Sequence, residues 1–313
     1  MLTALQSVAT LFLVIGAGML LARRGFFDEA SGALFSRVVI GLSLPLLMVH
    51  DLVTGFTRSA LLRSGPGLLI PVLSMGTMAL LAPLAARLGG VAPGRRGTFA
   101  AMFTASNSVF IGLPVNLALF GPAAVPSVLL FYAVNISYFW TLGVHGIEAD
   151  AGNRLPFLSP PNLRRILSPP FVAFFVGVLL VLLELRLPAF LLAAMKHLGG
   201  MTTPLSLLFI GITFAGVTLA ELKPTRETGV LLAGRFLLMP GLTLLLCMLL
   251  PVDPLAAKVF VVQAGMPAIT QAALAARGAG ADYRYASVQI SATNLAFLFF
   301  LPLYTVILAA LLP

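Results

Sequence analysis

Twelve residues sit where an apolar chain ought to have nothing to say. Ser106, Asn107, Gly112, Pro114 and Asn116 fall in one hydrophobic run, and Asn135 falls in the next. Gln263, Gly265, Pro267, Thr270 and Gln271 fall in a later run, followed by Asn294 in the last. Glycine and proline loosen or break a helix, because proline lacks an amide donor and clashes with the preceding turn. In hydrocarbon the freed backbone groups must find protein or a wet cavity. A broken helix also exposes an N-terminal end that attracts anions and a carbonyl-lined end that attracts cations. One such break reads as a kink, and one such asparagine as interhelical glue. As a set converging on two breaks, they read as a solute site, with no catalytic residue and no metal ligand among them.

The elements that carry these residues follow from composition. The chain has 313 residues, 59% hydrophobic and only 9% charged. Soluble domains are about a quarter charged, so this is an integral membrane protein. Its mean hydropathy is +1.05. Apolar runs near ~20 residues indicate helices rather than barrel strands. The net charge of +9 does not indicate nucleic acid, because the basic residues lie in short loops between apolar runs. The single cysteine excludes a disulfide framework. No Gly-X-Ser-X-Gly, no His-Glu-X-X-His and no acid pair at helical spacing is present, which argues against an enzyme.

Ten spans are expected, near 3–22, 33–54, 67–88, 98–120, 124–147, 169–187, 201–220, 229–251, 255–277 and 285–311. Residues 1–147 form a first repeat and 169–313 a second. The Pro- and Arg-rich stretch 148–168 reads as a cytoplasmic linker. Fourteen Lys and Arg residues, Arg235 among them, are assigned to inside loops or adjoining span ends, against five outside. That bias puts both termini outside the cytoplasmic membrane. Lys196 and His197 are assigned to an outside loop.

Five spans per half is an odd number, so similar halves would be inverted relative to one another. Three landmarks recur in order. Pro45 in "SLPLL" answers Pro204 in "TTPLSLL", "GLP" at 112–114 answers "GMP" at 265–267, and Asn135 in "AVNIS" answers Asn294 in "ATNLA". The offsets are 159, 153 and 159 residues. The expected fold is all-α, with ten helices in two inverted five-helix repeats and broken crossing helices 4 and 9. Sodium/bile-acid symporters and sodium/proton antiporters share this architecture. All ten carboxylates fall at span ends or in loops. A mid-membrane acid to relay protons or ligate sodium is therefore missing, and an anionic solute meets no fixed negative charge.

The stretches "SNSVFIGLPV", "VVQAGMPAITQAALA" and "SVQISATNLAFLFFLPLY" resemble bacterial members of the auxin efflux carrier family. The resemblance implies a secondary transporter of a small organic anion working by elevator-type alternating access; no cofactor is expected, and H+ and Na+ are both open as coupling ion. Spans 1, 2, 6 and 7 would form a scaffold and homodimer contact; spans 3–5 and 8–10 would form the transport domain. Asn107 matches the family asparagine before the first break, and Pro114 and Pro267 match its crossing prolines. The family's usual asparagine after the second proline is replaced by Thr270 or Gln271. The alternative reading is a sodium-coupled organic-anion symporter of the bile-acid type.

Overall fold

In a computed structural model that describes residues 2–153, 167–216 and 224–311, the chain is helical throughout. Among the described residues there is no strand, only one isolated β-bridge. The linker expected at 148–168 lies mostly outside the described residues. Twelve helices carry the argument below. They are α1 (Leu2–Arg23), α2 (Glu29–Gly55), α3 (Leu69–Leu88), α4 (Arg96–Thr104), α5 (Ser108–Phe120) and α6 (Pro122–Asp150). They continue with α7 (Pro169–Leu182), α8 (Ala189–Ala215), α9 (Arg226–Leu249), α10 (Pro254–Ala264), α11 (Gln271–Ala279) and α12 (Tyr283–Leu311).

Among the described residues, six stretches are long and apolar enough to cross a membrane: α2, α3, α6, α8, α9 and Tyr283–Tyr304 of α12. Four shorter apolar helices, Thr10–Arg23, Ser108–Phe120, Pro169–Leu182 and Pro254–Ala264, accompany them. Large apolar side chains point outward, Leu80 at 83% and Phe299 at 81% exposure. A surface of that kind suits hydrocarbon, not water. The expected outside loop before residue 201 is instead helical. Ala189–Gly199, with Lys196 and His197 in its last turn, is rich in Ala, Leu and Met, all strong helix formers, and forms the first part of α8.

Three prolines inside these helices follow widened turns. The π-turns Val39–Ser43, Ser108–Gly112 and Gly234–Leu238 each end two residues before a proline, at Pro45, Pro114 and Pro240. A widened turn moves the carbonyl that the proline ring would otherwise strike, so the helix continues.

Contacts group the chain into two compact units. Unit one takes Met1–Pro66, Val109–Ala133 and Leu167–Val217. In it α1 lies against the second half of α8, where Gly18 faces the Leu208 backbone and Gly211 faces the backbone of Ile15 and Met19. A side chain at either glycine would strike main chain. Helix α2 packs on α7 and on the start of α8. There the buried Thr202 hydroxyl donates to the Ser43 hydroxyl at 3.1 Å. These two residues are 159 positions apart, the same offset as Pro45 and Pro204.

Unit two takes Gly67–Ser108, Val134–Ile166 and Thr218–Pro313. Helix α4 is held between α3 and the end of α6. Asp150, at the end of α6, accepts from the Gly97 and Thr98 amides and from the Thr98 hydroxyl at 2.7–2.9 Å. A carboxylate on the first amides of α4 fixes that helix by its N-terminus.

Candidate functional site

Unit two contains the interruptions of two helices, which meet each other. The chain leaves the helical path at Ala105–Asn107 between α4 and α5, and again at 265–270 between α10 and α11. The two interruptions pair antiparallel, with Ser106 opposite Ala268. The Asn107 amide donates to the Pro267 carbonyl at 2.8 Å, and the Ile269 amide donates to the Ala105 carbonyl at 3.1 Å. Backbone groups freed by each break are thereby satisfied by the other.

The first break is displaced from where its proline stands. Gly112 and Pro114 were expected to mark it, but both lie within helix, in and just after the π-turn Ser108–Gly112. The interruption falls several residues earlier, and Asn135 holds it there. The Asn135 carboxamide accepts from the Ser106 amide and donates to the Ser106 carbonyl, both at 2.8 Å. One side chain thus replaces two helical backbone partners. Pro267, in contrast, lies inside its break.

Around the second break the partners differ. The Ala268 amide donates to the Thr293 hydroxyl at 3.2 Å, and that hydroxyl donates to the Ile290 carbonyl at 2.8 Å. Asn294, the repeat counterpart of Asn135, is 1% exposed and makes no hydrogen bond through either side-chain atom. Gln263 donates to the Ser108 carbonyl at 3.2 Å, but its side-chain oxygen is buried without a partner. The Thr270 hydroxyl and the Gln271 oxygen are in the same condition. Thr270 and Gln271 open the nine-residue helix α11.

The structure therefore gathers Ser106, Asn107, Asn135, Gln263, Gly265, Pro267 and Thr270 at one crossing, with Gln271 next in the chain and Asn294 following Thr293, which bonds Ala268. Gly112, Pro114 and Asn116 belong to unit one. Asn116 donates to the Gly112 carbonyl of its own helix at 2.7 Å. Gly265 is required where it stands, because a Cβ there would enter the Tyr304 ring. His50 and Asp51, neighbours in sequence, contact each other at 2.6 Å within unit one.

Arg235 is the residue that sequence reasoning misplaced. It is not at a loop or span end but fully buried, on the π-turn of α9. Its guanidinium donates to the carbonyls of Phe103 and Thr104 at 3.4 and 2.9 Å. It also donates to Ala264 at 2.9 Å and to Met266 through two nitrogens at 3.2 and 2.7 Å. The signal was present: Arg235 stands nine residues beyond Arg226 in an otherwise apolar run. A charge that deep in a membrane helix is expensive and marks function. Removing it from the inside count leaves the positive-inside bias in place.

An all-helical chain with an apolar exterior and a buried polar crossing is a multi-pass membrane protein, and the comparisons give its family. Residues 3–305 match the family model described as "Membrane transport protein". The chain belongs to that family, the auxin efflux carrier-type transporters, and is a transporter. It is also similar to an uncharacterized transporter of Methanothermobacter thermautotrophicus, at 26% identity over 310 residues, covering 97% of this chain and 98% of the relative.

Proposed function

We propose that this transporter is a secondary carrier of a small organic anion bearing a carboxylate, working by elevator-type alternating access in the cytoplasmic membrane. The observation that carries the proposal is the set of buried side-chain atoms without a partner at the second break, the Gln263 oxygen, the Thr270 hydroxyl and the Gln271 oxygen, together with Asn294, buried and unpaired next in sequence to Thr293, which holds Ala268. A buried polar group without a partner costs about 1–3 kcal/mol, and a ligand with complementary groups removes that cost. The N-terminal end of α11, which Thr270 and Gln271 open, favours negative charge. The neighbouring polar side chains are amides and hydroxyls, so no carboxylate among them repels an anion.

Two further observations support the wider reading. Ser43 and Thr202, equivalent under the 159-residue offset, touch each other. Equivalent positions meet only on a symmetry axis, as inverted repeats require. Both breaks, 105–107 and 265–270, lie in unit two. Spans 1, 2, 6 and 7 would be the static scaffold and homodimer contact, and spans 3–5 and 8–10 the moving body.

The test is a thermal-shift screen of the purified chain in detergent against mono- and dicarboxylates and aromatic acids. A ligand that binds only the native state at about 100-fold its Kd stabilises by about 2.7 kcal/mol. One acid should raise the melting temperature of wild type and not of Asn294→Ala. Stabilisation by neutral or cationic solutes alone would overturn the anion assignment.

A further inference from the structure

We infer that Arg235 is a resident cation: it fills, permanently and covalently attached, the role that a bound sodium ion plays in a sodium-coupled carrier, so the crossing assembles without sodium. The inference rests on the carrier reading for its meaning in transport, but its geometry stands on the helix crossing alone.

The four carbonyls that Arg235 binds are the C-terminal ends of two helices. Phe103 and Thr104 close α4; Ala264 closes α10, and Met266 follows it. Each helix end carries about half a negative charge, so the pair together carries about one. A guanidinium supplies one positive charge and neutralises both. Converging carbonyl oxygens at broken helices are also the ligand type that holds a sodium ion in carriers of this architecture. Here the same kind of oxygen set is occupied by a side chain.

The geometry also says what Arg235 is not. A guanidinium has five N–H donors, and Arg235 makes five hydrogen bonds, all to main-chain carbonyls. It has no donor left over to grip a substrate, so it positions the crossing and does not contact solute. A guanidinium also stays protonated across the physiological range, so it cannot carry the transported proton. Nor does it reach toward an interface as long basic side chains do near helix ends, since it is 0% exposed.

Neighbours fix it in this pose. Gly234 lies against the Phe103 ring, and a Cβ at that position would enter the ring. The Tyr304 hydroxyl donates to the Phe236 carbonyl at 2.8 Å, tying the same π-turn to α12. Lysine could keep the charge but offers three donors in place of the planar five, and would reach fewer of the four carbonyls.

The experiment compares melting temperatures of the full-length chain in detergent, without solute, in sodium chloride and in choline chloride at equal ionic strength. It uses wild type, Arg235→Ala, Arg235→Met and Arg235→Lys. Wild type should differ by less than about 1 °C between the two salts, the response of a protein with no sodium site to fill. Arg235→Ala should melt lower and regain part of the loss in sodium chloride or in millimolar guanidinium chloride, since either ion enters the emptied carbonyl set. Arg235→Lys should fall between. A wild type stabilised several degrees by sodium would overturn the inference, and that arm stands even if Arg235→Ala fails to fold. So would an Arg235→Met protein as stable as wild type in choline. A stabilising acid is then added in both salts: binding that requires sodium again overturns the resident cation. Failure of every acid to bind overturns the carrier reading, while the salt response of the solute-free protein still decides the role of Arg235.

Discussion

The two breaks of unit two face each other across one antiparallel bridge and are finished in different ways. In the first, the Asn135 carboxamide closes on the backbone of Ser106 and leaves neither of its own polar atoms idle. In the second, the counterpart Asn294 pairs with nothing, and its neighbour Thr293 holds the backbone at Ala268. The same landmark residue, repeated 159 positions later, serves as a lock in one half and is buried without a partner in the other. Repeats of this kind need not give a symmetric site. Local hydrogen bonding finishes the two breaks differently.

Substitutions at the two asparagines test that contrast most directly. Asn135→Ala leaves the Ser106 amide and carbonyl buried without partners and should lower stability by about 2–4 kcal/mol, read from the apparent melting transition. A melting point equal to wild type would remove the lock. Asn294→Ala has the opposite signature. Ligand affinity should fall at least about tenfold, or 1.4 kcal/mol, while the solute-free protein is as stable as wild type or more so, because two unpaired buried atoms are gone. Equal losses of stability in the two variants would mean the breaks are finished alike.

Smaller effects sharpen the picture. Thr293→Val keeps the shape but removes the acceptor for the Ala268 amide, at a cost of about 1–2 kcal/mol, and should weaken solute binding only indirectly. The least effect is expected at the inner ion pair. Arg95 contacts Asp282 at 2.7 and 2.9 Å, with both side chains more than a third exposed or nearly so, and lies over the Tyr285 ring at 5.0 Å. Burial acts to raise the Asp282 pKa, but bonds from the Tyr285 amide and Arg95 outweigh it and hold the carboxyl below its ordinary value. Its contribution is complete above the unfolded aspartate value of about 3.9 and is lost as pH falls through the lower folded value. The stability gap between wild type and Arg95→Met should therefore close in that acid window. A gap that stays constant down to strong acid would show that the carboxylate does not take part.

Much of this was legible in the sequence. Composition gave helices in a bilayer, and Pro267 marked its break correctly. Pro114 did not, because a widened turn at 108–112 absorbs it. The true break at Ser106 depends on a side chain 29 residues away, which no local pattern reveals. Ala189–Gly199 was read as loop because 201–220 already filled a membrane-length run. Arg235 was visible as a lone charge in an apolar stretch, but counting it as a topology marker hid it. What its guanidinium binds is main chain, and carbonyl oxygens carry no sequence signature.

The widened turns bear on how such a chain tolerates change in length. A π-turn is an α-helical turn holding one residue too many, so deleting a residue there returns the helix to regular winding instead of breaking it. At Val39–Ser43 such a deletion removes only the slack before Pro45. At Gly234–Leu238 it turns Arg235 about the helix axis by roughly 100°, one residue's worth at 3.6 per turn. The carbonyls of both broken helices would then face an apolar side chain in its place. Two turns of identical geometry thus differ in what they can lose: one is spare length, and the other is the phase that aims a charge.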